Sequence, residues 1–379
     1  MIHSFSFPTA ISFGAGAREL VGEHLGARGK RRPLVITDRG VARLPAFAAF
    51  LETLVKAGLQ PAAYEDVFGN PVRAQVAGAV DAFNRHRADA IVGFGGGAAL
   101  DVAKAAALMV HHPGDLFDYE DGREGALPFS AEIPYWVAVP TTAGTGSEVG
   151  RSTVIADEVT HVKRIVFSPR LLAQAVFADP ELTVGLPAPV TAATGMDALT
   201  HCVEAYLAKG WHPLCDGIAL EGLRLAARSL VRCVRKPGDL EARSDMLMAS
   251  MMGAVAFQKG LGVTHSCAHA LSAAVDMHHG LANAVMIDHA LKHNVDAVPE
   301  RFATLAEVAG LPVRDAEGFL AWLVDLKIDL SIPAGLDEAG VPVAARARLP
   351  DLALADGCHQ NNPRACNRAD FVRIFTEAT

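Results

Sequence analysis

Ala88-Asp-Ala-Ile-Val-Gly-Phe94-Gly-Gly-Gly97-Ala-Ala-Leu-Asp101-Val-Ala-Lys104 is the stretch whose reading decides the fold. Its first seven residues form a short apolar run, the pattern of a strand buried on both faces of a parallel sheet. Gly95, Gly96 and Gly97 end that run, and a helical stretch carrying Asp101 and Lys104 follows. A glycine turn between strand and helix lets backbone N–H groups approach a pyrophosphate, and the helix N-terminus favours the anion. The spacing is not G-x-G-x-x-G, so a tight, ligand-free strand–helix turn fits this stretch alone equally well.

The same alternation continues on the N-terminal side. Pro33–Asp38 reads as a buried parallel strand, 44–58 as a helix and 62–68 as a strand with Gly69-Asn70-Pro71 as its exit turn. A helix across 73–86 completes the series. Residues 3–13 alternate as two short strands turning at Pro8, and Gly14-Ala-Gly16 opens a helical stretch through Leu25. Strands and helices joined by short connections imply a doubly wound, Rossmann-like α/β domain. Asp38, at the end of its strand, could meet a ribose hydroxyl or repel a 2′-phosphate, although a capping role is the commoner one for such an Asp.

On the C-terminal side, Pro140-Thr-Thr-Ala-Gly-Thr-Gly-Ser-Glu148 is a second polar, glycine-rich loop after an apolar run. Its hydroxyls and backbone donors suit phosphate, ribose or a carboxamide, and two such loops favour dinucleotide binding over two plain turns. From about Pro187 the strand-like runs stop, and helical patterns follow at 188–208, 213–233, 239–257, 262–274 and 281–293. Gly185-Leu186-Pro187 reads as the hinge, dividing a nucleotide-binding α/β domain (1–185) from an all-α domain (186–379).

The helical half carries Asp197 and His201, four apart on one helix face, then His265 and His269 at the same spacing, then His278-His279-Gly280. One carboxylate with several imidazoles and no thiolate is the outline of a site for Fe²⁺, Zn²⁺, Co²⁺ or Mn²⁺. His3, His24, His86, His111, His112, His161 and His212 lie in polar or loop contexts and read as surface residues.

Composition sets the outer bounds. The chain has 379 residues, 51% hydrophobic and 20% charged, with a net charge of −8, which suits two domains with large cores and argues against non-specific nucleic-acid binding. No run of eighteen apolar residues suggests a membrane span, and Met1–Pro8 does not read as a signal peptide. The six cysteines form no CxxC pair and read as free thiols in a reducing cytoplasm.

Taken together, the chain resembles the iron-containing (group III) alcohol dehydrogenases over essentially its whole length. The matching blocks are Gly95–Lys104, Pro140–Glu148, Phe177–Leu182, Gly195–His201 and His265–Asn283. The resemblance implies a metal, Fe²⁺ or alternatively Zn²⁺, held by Asp197, His201, His265 and His279. It also implies NAD, with NADP as the alternative, held by Asp38, Asn70, Gly95, Gly96, Gly97, Asp101, Lys104, Thr141, Thr142, Ser147 and Lys163, with Leu182 against the cofactor. His269 matches the family histidine near the nicotinamide and is the candidate proton relay. Ala98 departs from the family's usual Ser after the three glycines, so one phosphate donor is missing.

The implied reaction is hydride transfer between the nicotinamide and a small primary alcohol or hydroxyacid. Residues 195–207 and 256–262 look similar to the 4-hydroxybutyrate/semialdehyde branch, and a lactaldehyde or 1,3-propanediol oxidoreductase is the alternative within the family. A dehydroquinate synthase-like lyase or cyclase, which also uses NAD and a metal, is the rival from another class. It would need cations near the metal, and Lys259 and Lys292 are the nearest in sequence. The family often forms dimers or larger assemblies, so a cytoplasmic homo-oligomer is expected, with a small-molecule substrate and neither nucleic acid nor membrane as a partner.

Overall fold

The computed structural model describes Phe7, residues 9–159 and residues 162–379; His3, His161 and the first of the two N-terminal strands lie outside the described residues. The chain divides into two compact units: Met1–Thr142 with Ser147–Thr183, and Ala143–Gly146 with Val184–Thr379.

The first unit is built on strands β1 (Ala10–Phe13), β2 (Pro33–Asp38), β3 (Ala62–Val67), β4 (Ala90–Gly95), β5 (Tyr135–Pro140) and, after a hairpin, β8 (Ala175–Ala178). They form one sheet in the order β1-β8-β5-β4-β2-β3, with every neighbouring pair parallel. Helices α1 (Val21–Ala27), α2 (Pro45–Lys56), α3 (Arg73–His86) and α4 (Gly97–Met109) lie between the strands in sequence. β4 is buried along its whole length, as a strand covered on both faces must be. Leu25, Phe47, Phe50 and Leu54 from the first two helices pack with Val35, Phe94 and Val139 of the sheet.

The chain steps from β2 outward to β3 and then back across to β4, so β2 and β4 flank the point where the winding reverses. In open parallel sheets that crevice, at the carboxyl ends of the strands, is where ligands bind. Two short antiparallel strands, β6 (Ser152–Ala156) and β7 (Lys163–Phe167), form a separate hairpin that the α/β alternation did not announce.

The second unit contains helices α5 (Ala188–Leu207), α6 (Pro213–Arg235), α7 (Leu240–Ala256), α8 (Val263–Val275), α9 (His279–Leu291), α10 (Pro299–Val308), α11 (Ala316–Asp329), α12 (Val343–Arg346), α13 (Leu349–Ala355) and α14 (Arg368–Glu377). α5 is its axis, buried from Thr191 to Leu207. A core of Cys267, Leu271, Met286, Leu349, Phe371 and Phe375 joins α8 and α9 to the C-terminal helices. Among the described residues no single helix is long and apolar enough to cross a membrane.

His112 overturns its reading as a surface residue. It is buried, its Nδ1 lies 2.8 Å from the Leu108 carbonyl, and its Nε2 accepts from the Ala131 N–H. His24, His86 and His212 are half-buried, and only His111 of that described group is exposed. Each half-buried ring has a hydrogen-bond partner, near in sequence only for His212: Tyr135 Oη for His24, the Gln60 carbonyl for His86 and the Cys215 N–H for His212. All six cysteines are free.

Candidate functional site

Three helices of the second unit bring the proposed metal ligands together. Asp197 and His201 face the same side of α5, His265 sits in the first turn of α8, and His279 opens α9. From Asp197 Oδ1 the imidazole Nε2 atoms lie at 3.4 Å (His279), 3.8 Å (His201) and 4.0 Å (His265). One ligand atom from each of the four lies within 4.8 Å of the others. His278, by contrast, is exposed and outside the cluster.

Two glycines permit this approach. A Cβ at Gly280 would collide with the Ala193 carbonyl of α5, so glycine lets the start of α9 carry His279 up to Asp197. A Cβ at Gly253 would lie 2.9 Å from the His201 Cβ, so α7 can support α5 closely behind that ligand.

The donor set has the chemistry a divalent metal requires. Burial pushes the His201 imidazole down to about 4 against the pull of Asp197, so the ring is neutral and offers a lone pair. Asn283, fully buried and one turn beyond His279, shows where the lone pairs converge. Its Nδ2 lies 2.8 Å from Asp197 Oδ1, 3.2 Å from His279 Nε2 and 3.3 Å from His265 Nε2. Three acceptors aimed at one donor nitrogen are also aimed at a position a cation can take. The residues present therefore fit a divalent ion.

Sequence reasoning missed Glu204. Three residues beyond His201 and fully buried on α5, it accepts from His265 Nδ1 at 2.7 Å, from the Thr264 N–H at 2.6 Å and from the Gly262 N–H at 2.9 Å. Burial pushes its pKa up, but the His265 hydrogen bond and charge and these N–H groups outweigh that, and the carboxyl sits below the usual range. One carboxylate thus caps the N-terminus of α8 and fixes the His265 tautomer, leaving Nε2 for the metal. Glu204→Gln keeps an oxygen for the backbone donors and removes the charge. It is expected to weaken metal binding about 10–100-fold while the fold is retained; chelator competition measures this, and unchanged affinity would refute it.

His269 lies one turn beyond His265, its ring stacked on His279 with centroids 5.1 Å apart. Its Nδ1 meets Asp356 Oδ2 at 2.7 Å. Asp356, absent from the sequence reading, also accepts from the Ser266 hydroxyl and the Cys358 N–H. Burial pushes its carboxyl up, yet the His269 hydrogen bond and charge more than reverse this and hold it well below the usual range.

In the first unit the predicted cofactor residues fall into three groups. Asp38, Gly95, Gly96, Thr141 and Thr142 gather at the carboxyl ends of β2, β4 and β5. Asp38 Oδ2 would lie 3.4 Å from a Cβ at Gly95, Thr142 Oγ1 3.2 Å from one at Gly96, and the Thr141 N–H donates to the Gly95 carbonyl. Gly97 then opens α4, whose first-turn N–H groups point out from the same place. Asp38 is also the cap that its position suggested, since Oδ1 accepts from the N–H groups of Gly40 and Val41.

Asp101, Lys104 and Ser147 form the second group and hold one another. Asp101 accepts from the Ser147 hydroxyl at 2.6 Å and the Val154 N–H at 3.0 Å, and buried Lys104 donates to the Ser152 carbonyl at 2.7 Å. In the third group, Asn70 follows β3, Lys163 opens β7, and Leu182 packs against the first unit's core.

Glu148 lies beside Lys104, buried, and burial raises its pKa to about 7. Because the folded pKa lies above the ordinary 4.5, its contribution to stability is complete below pH 4.5 and is lost as pH rises through 7. Glu148→Gln imitates the protonated form. It is expected to add on the order of 2–3 kcal/mol of stability at pH 8 and almost nothing at pH 4.5. Thermal melts at the two pH values test this, and an equal gain at both would refute it.

Comparison with known proteins identifies the family of the whole chain. Residues 8–180 match the family model described as iron-containing alcohol dehydrogenase, and residues 191–379 match the C-terminal model of the Fe-containing alcohol dehydrogenase family. A 4-hydroxybutyrate dehydrogenase from Cupriavidus necator is 37% identical, with 98% of each chain covered. An NAD-dependent methanol dehydrogenase from Bacillus methanolicus is 35% identical, with 99% of each chain covered. The crystal structure of a 1,3-propanediol oxidoreductase superposes with a TM-score of 0.95 at 37% identity, over 100% of both chains. This chain belongs to the iron-containing alcohol dehydrogenase family.

Proposed function

We propose that the enzyme is an iron-dependent, NAD-linked dehydrogenase of short primary alcohols that carry a second polar group at the far end. Its first candidate is 4-hydroxybutyrate with its semialdehyde; 1,3-propanediol is the second. The observation that carries this reading is the convergence of ligand atoms from Asp197, His201, His265 and His279 within 4.8 Å. Fe²⁺, or Zn²⁺ on the same ligands, supplies a Lewis acid for the substrate oxygen. NAD, with NADP as the alternative, supplies the hydride acceptor.

The chain's own residues do the rest. Asp38 takes the ribose hydroxyls, the N–H groups of Gly95–Gly97 and the α4 N-terminus take the pyrophosphate, and Thr141 and Thr142 offer hydroxyls. Asp101, Lys104 and Ser147 keep the loop after β5 and the hairpin in shape, Asn70 and Lys163 add polar contacts, and Leu182 supplies an apolar wall. His269, with its Nδ1 proton given to Asp356, uses Nε2 to carry a proton away from the alcohol and return it in the reverse reaction. Asp356 acts through His269 as a positioning residue.

The lyase or cyclase reading needs several cations near the metal. Of the two nearest in sequence, Lys259 and Lys292, Lys259 donates to the Tyr206 carbonyl and pairs with Asp216, so it is engaged within the protein. The net charge of −8 supports a small-molecule enzyme without a nucleic-acid partner, and we place it in the cytoplasm as a homo-oligomer. A screen of primary alcohols, diols and hydroxyacids with NAD and NADP, on protein reconstituted with Fe²⁺ or Zn²⁺, tests the reading. Metal-dependent NADH formation supports it; phosphate release from a phosphorylated substrate without net NAD turnover overturns it.

A further inference from the structure

The second unit holds another group of metal-ligating side chains. His269, Asp356 and Cys358 each present one ligand atom, and these atoms lie within 4.8 Å of one another. Asp356 is held on one side: Oδ1 accepts from the Ser266 hydroxyl at 2.7 Å and from the Cys358 N–H at 2.9 Å. Its Oδ2 is turned toward His269 Nδ1 at 2.7 Å, and the Cys358 thiol hydrogen-bonds to the same carboxylate. A carboxylate oxygen, an imidazole nitrogen and a sulfur, with neighbouring donors fixing the carboxylate, form a three-ligand set of the kind that binds zinc with a fourth position open to water. The His269 and Asp356 side chains are 26% and 19% exposed, which gives an ion a way in.

We propose that His269, Asp356 and Cys358 form a second, inhibitory site for a thiophilic divalent cation such as Zn²⁺ or Cd²⁺. Binding forms one nitrogen–metal, one oxygen–metal and one sulfur–metal bond. The imidazole proton moves from Nδ1 to Nε2, the thiol proton leaves to solvent, and no electrons are transferred. One carboxylate and one thiolate balance the two positive charges, so a half-buried ion carries no net charge into the site. Sulfur separates this site from the first. The Asp197 set has only nitrogen and oxygen donors and suits Fe²⁺ or Zn²⁺, whereas a thiolate favours zinc or cadmium over Fe²⁺ and Mg²⁺. Inhibition rests on the reading of His269 as the proton carrier, because the ion fixes its tautomer; the binding itself does not rest on that reading.

Titrating iron-loaded enzyme with cadmium tests both parts, reading the ultraviolet cadmium–thiolate band, metal content per chain and NAD turnover. We expect one further metal per chain, a band that saturates with it and activity that falls in step. Cys358→Ser should lose the band and the second ion, while Cys366→Ser should keep both. Asp356→Asn, which retains Oδ1, should weaken cadmium binding about tenfold or more. His265→Ala should lose the first ion and keep the band, so failure of the first site is distinguishable from failure of this one. Absence of the band, or its survival in Cys358→Ser, overturns the site; a saturated band with full activity overturns the inhibition.

Discussion

Replacing His265 by alanine is expected to strip the metal from the enzyme and lower turnover by about a thousandfold or more, since Lewis-acid stabilisation contributes several kcal/mol at the transition state. Two losses coincide at this residue. Nε2 is one of the ligand atoms converging near Asp197 Oδ1, and Nδ1 is the side-chain donor to Glu204, which is itself fully buried. Alanine removes the ligand and leaves that carboxylate with backbone donors only. Losing a side-chain hydrogen bond to a buried charged acceptor costs roughly 1.5–3 kcal/mol, so a lowered Tm should accompany the lost activity. Glu204→Gln should not show this drop in stability, because it removes the charge instead of abandoning it. Metal content after gel filtration, NAD turnover with added Fe²⁺ and melting temperature separate the cases. An alanine variant that retains metal and full turnover would mean that the ion binds elsewhere.

The contrast between His265 and Glu204 also marks what the sequence discloses. Ligands announce themselves locally: Asp197 and His201 are four apart on one helix, and His279 is followed by the glycine that lets α9 approach α5. The strand–glycine–helix run at 88–104 is equally local, because burial on both faces and a tight turn each leave a pattern a few residues long. The supporting residues leave none. Glu204 reads as one more acidic residue on a helix until the N-terminus of α8, some sixty positions on, is brought against it. Asp356 meets His269 across 87 positions, and the Asn283 amide acquires meaning only where three acceptors surround it. Asp101 and Lys104 were visible as polar residues on α4, but their engagement with Ser147 and the β6–β7 hairpin depends on tertiary structure. Local pattern therefore reveals which groups carry chemistry, while the groups that orient them are fixed by contacts distant in sequence.

Asp38→Asn is expected to raise the ratio of kcat/KM for NADP to that for NAD by about a hundredfold. The two oxygens of Asp38 have separate tasks. Oδ1 accepts from the N–H groups of Gly40 and Val41, and Oδ2 faces Gly95 across the switch point between β2 and β4. A carboxylate there gives charge-assisted hydrogen bonds to a ribose diol, each contributing roughly 1.5–3 kcal/mol, and repels a 2′-phosphate a few ångströms away by a comparable amount. Asparagine keeps an oxygen for the turn while its amide removes the charge and offers a donor to phosphate. Both terms then move in the same direction: NAD loses a partner and NADP loses a repulsion. Asp38→Ala is the control for the turn, since it deletes Oδ1 as well and should lower stability in addition to shifting preference. Initial rates with each cofactor at saturating alcohol give the ratio. If asparagine leaves the ratio unchanged and alanine lowers only stability, Asp38 is a capping residue alone and the ribose must be recognised from another strand end.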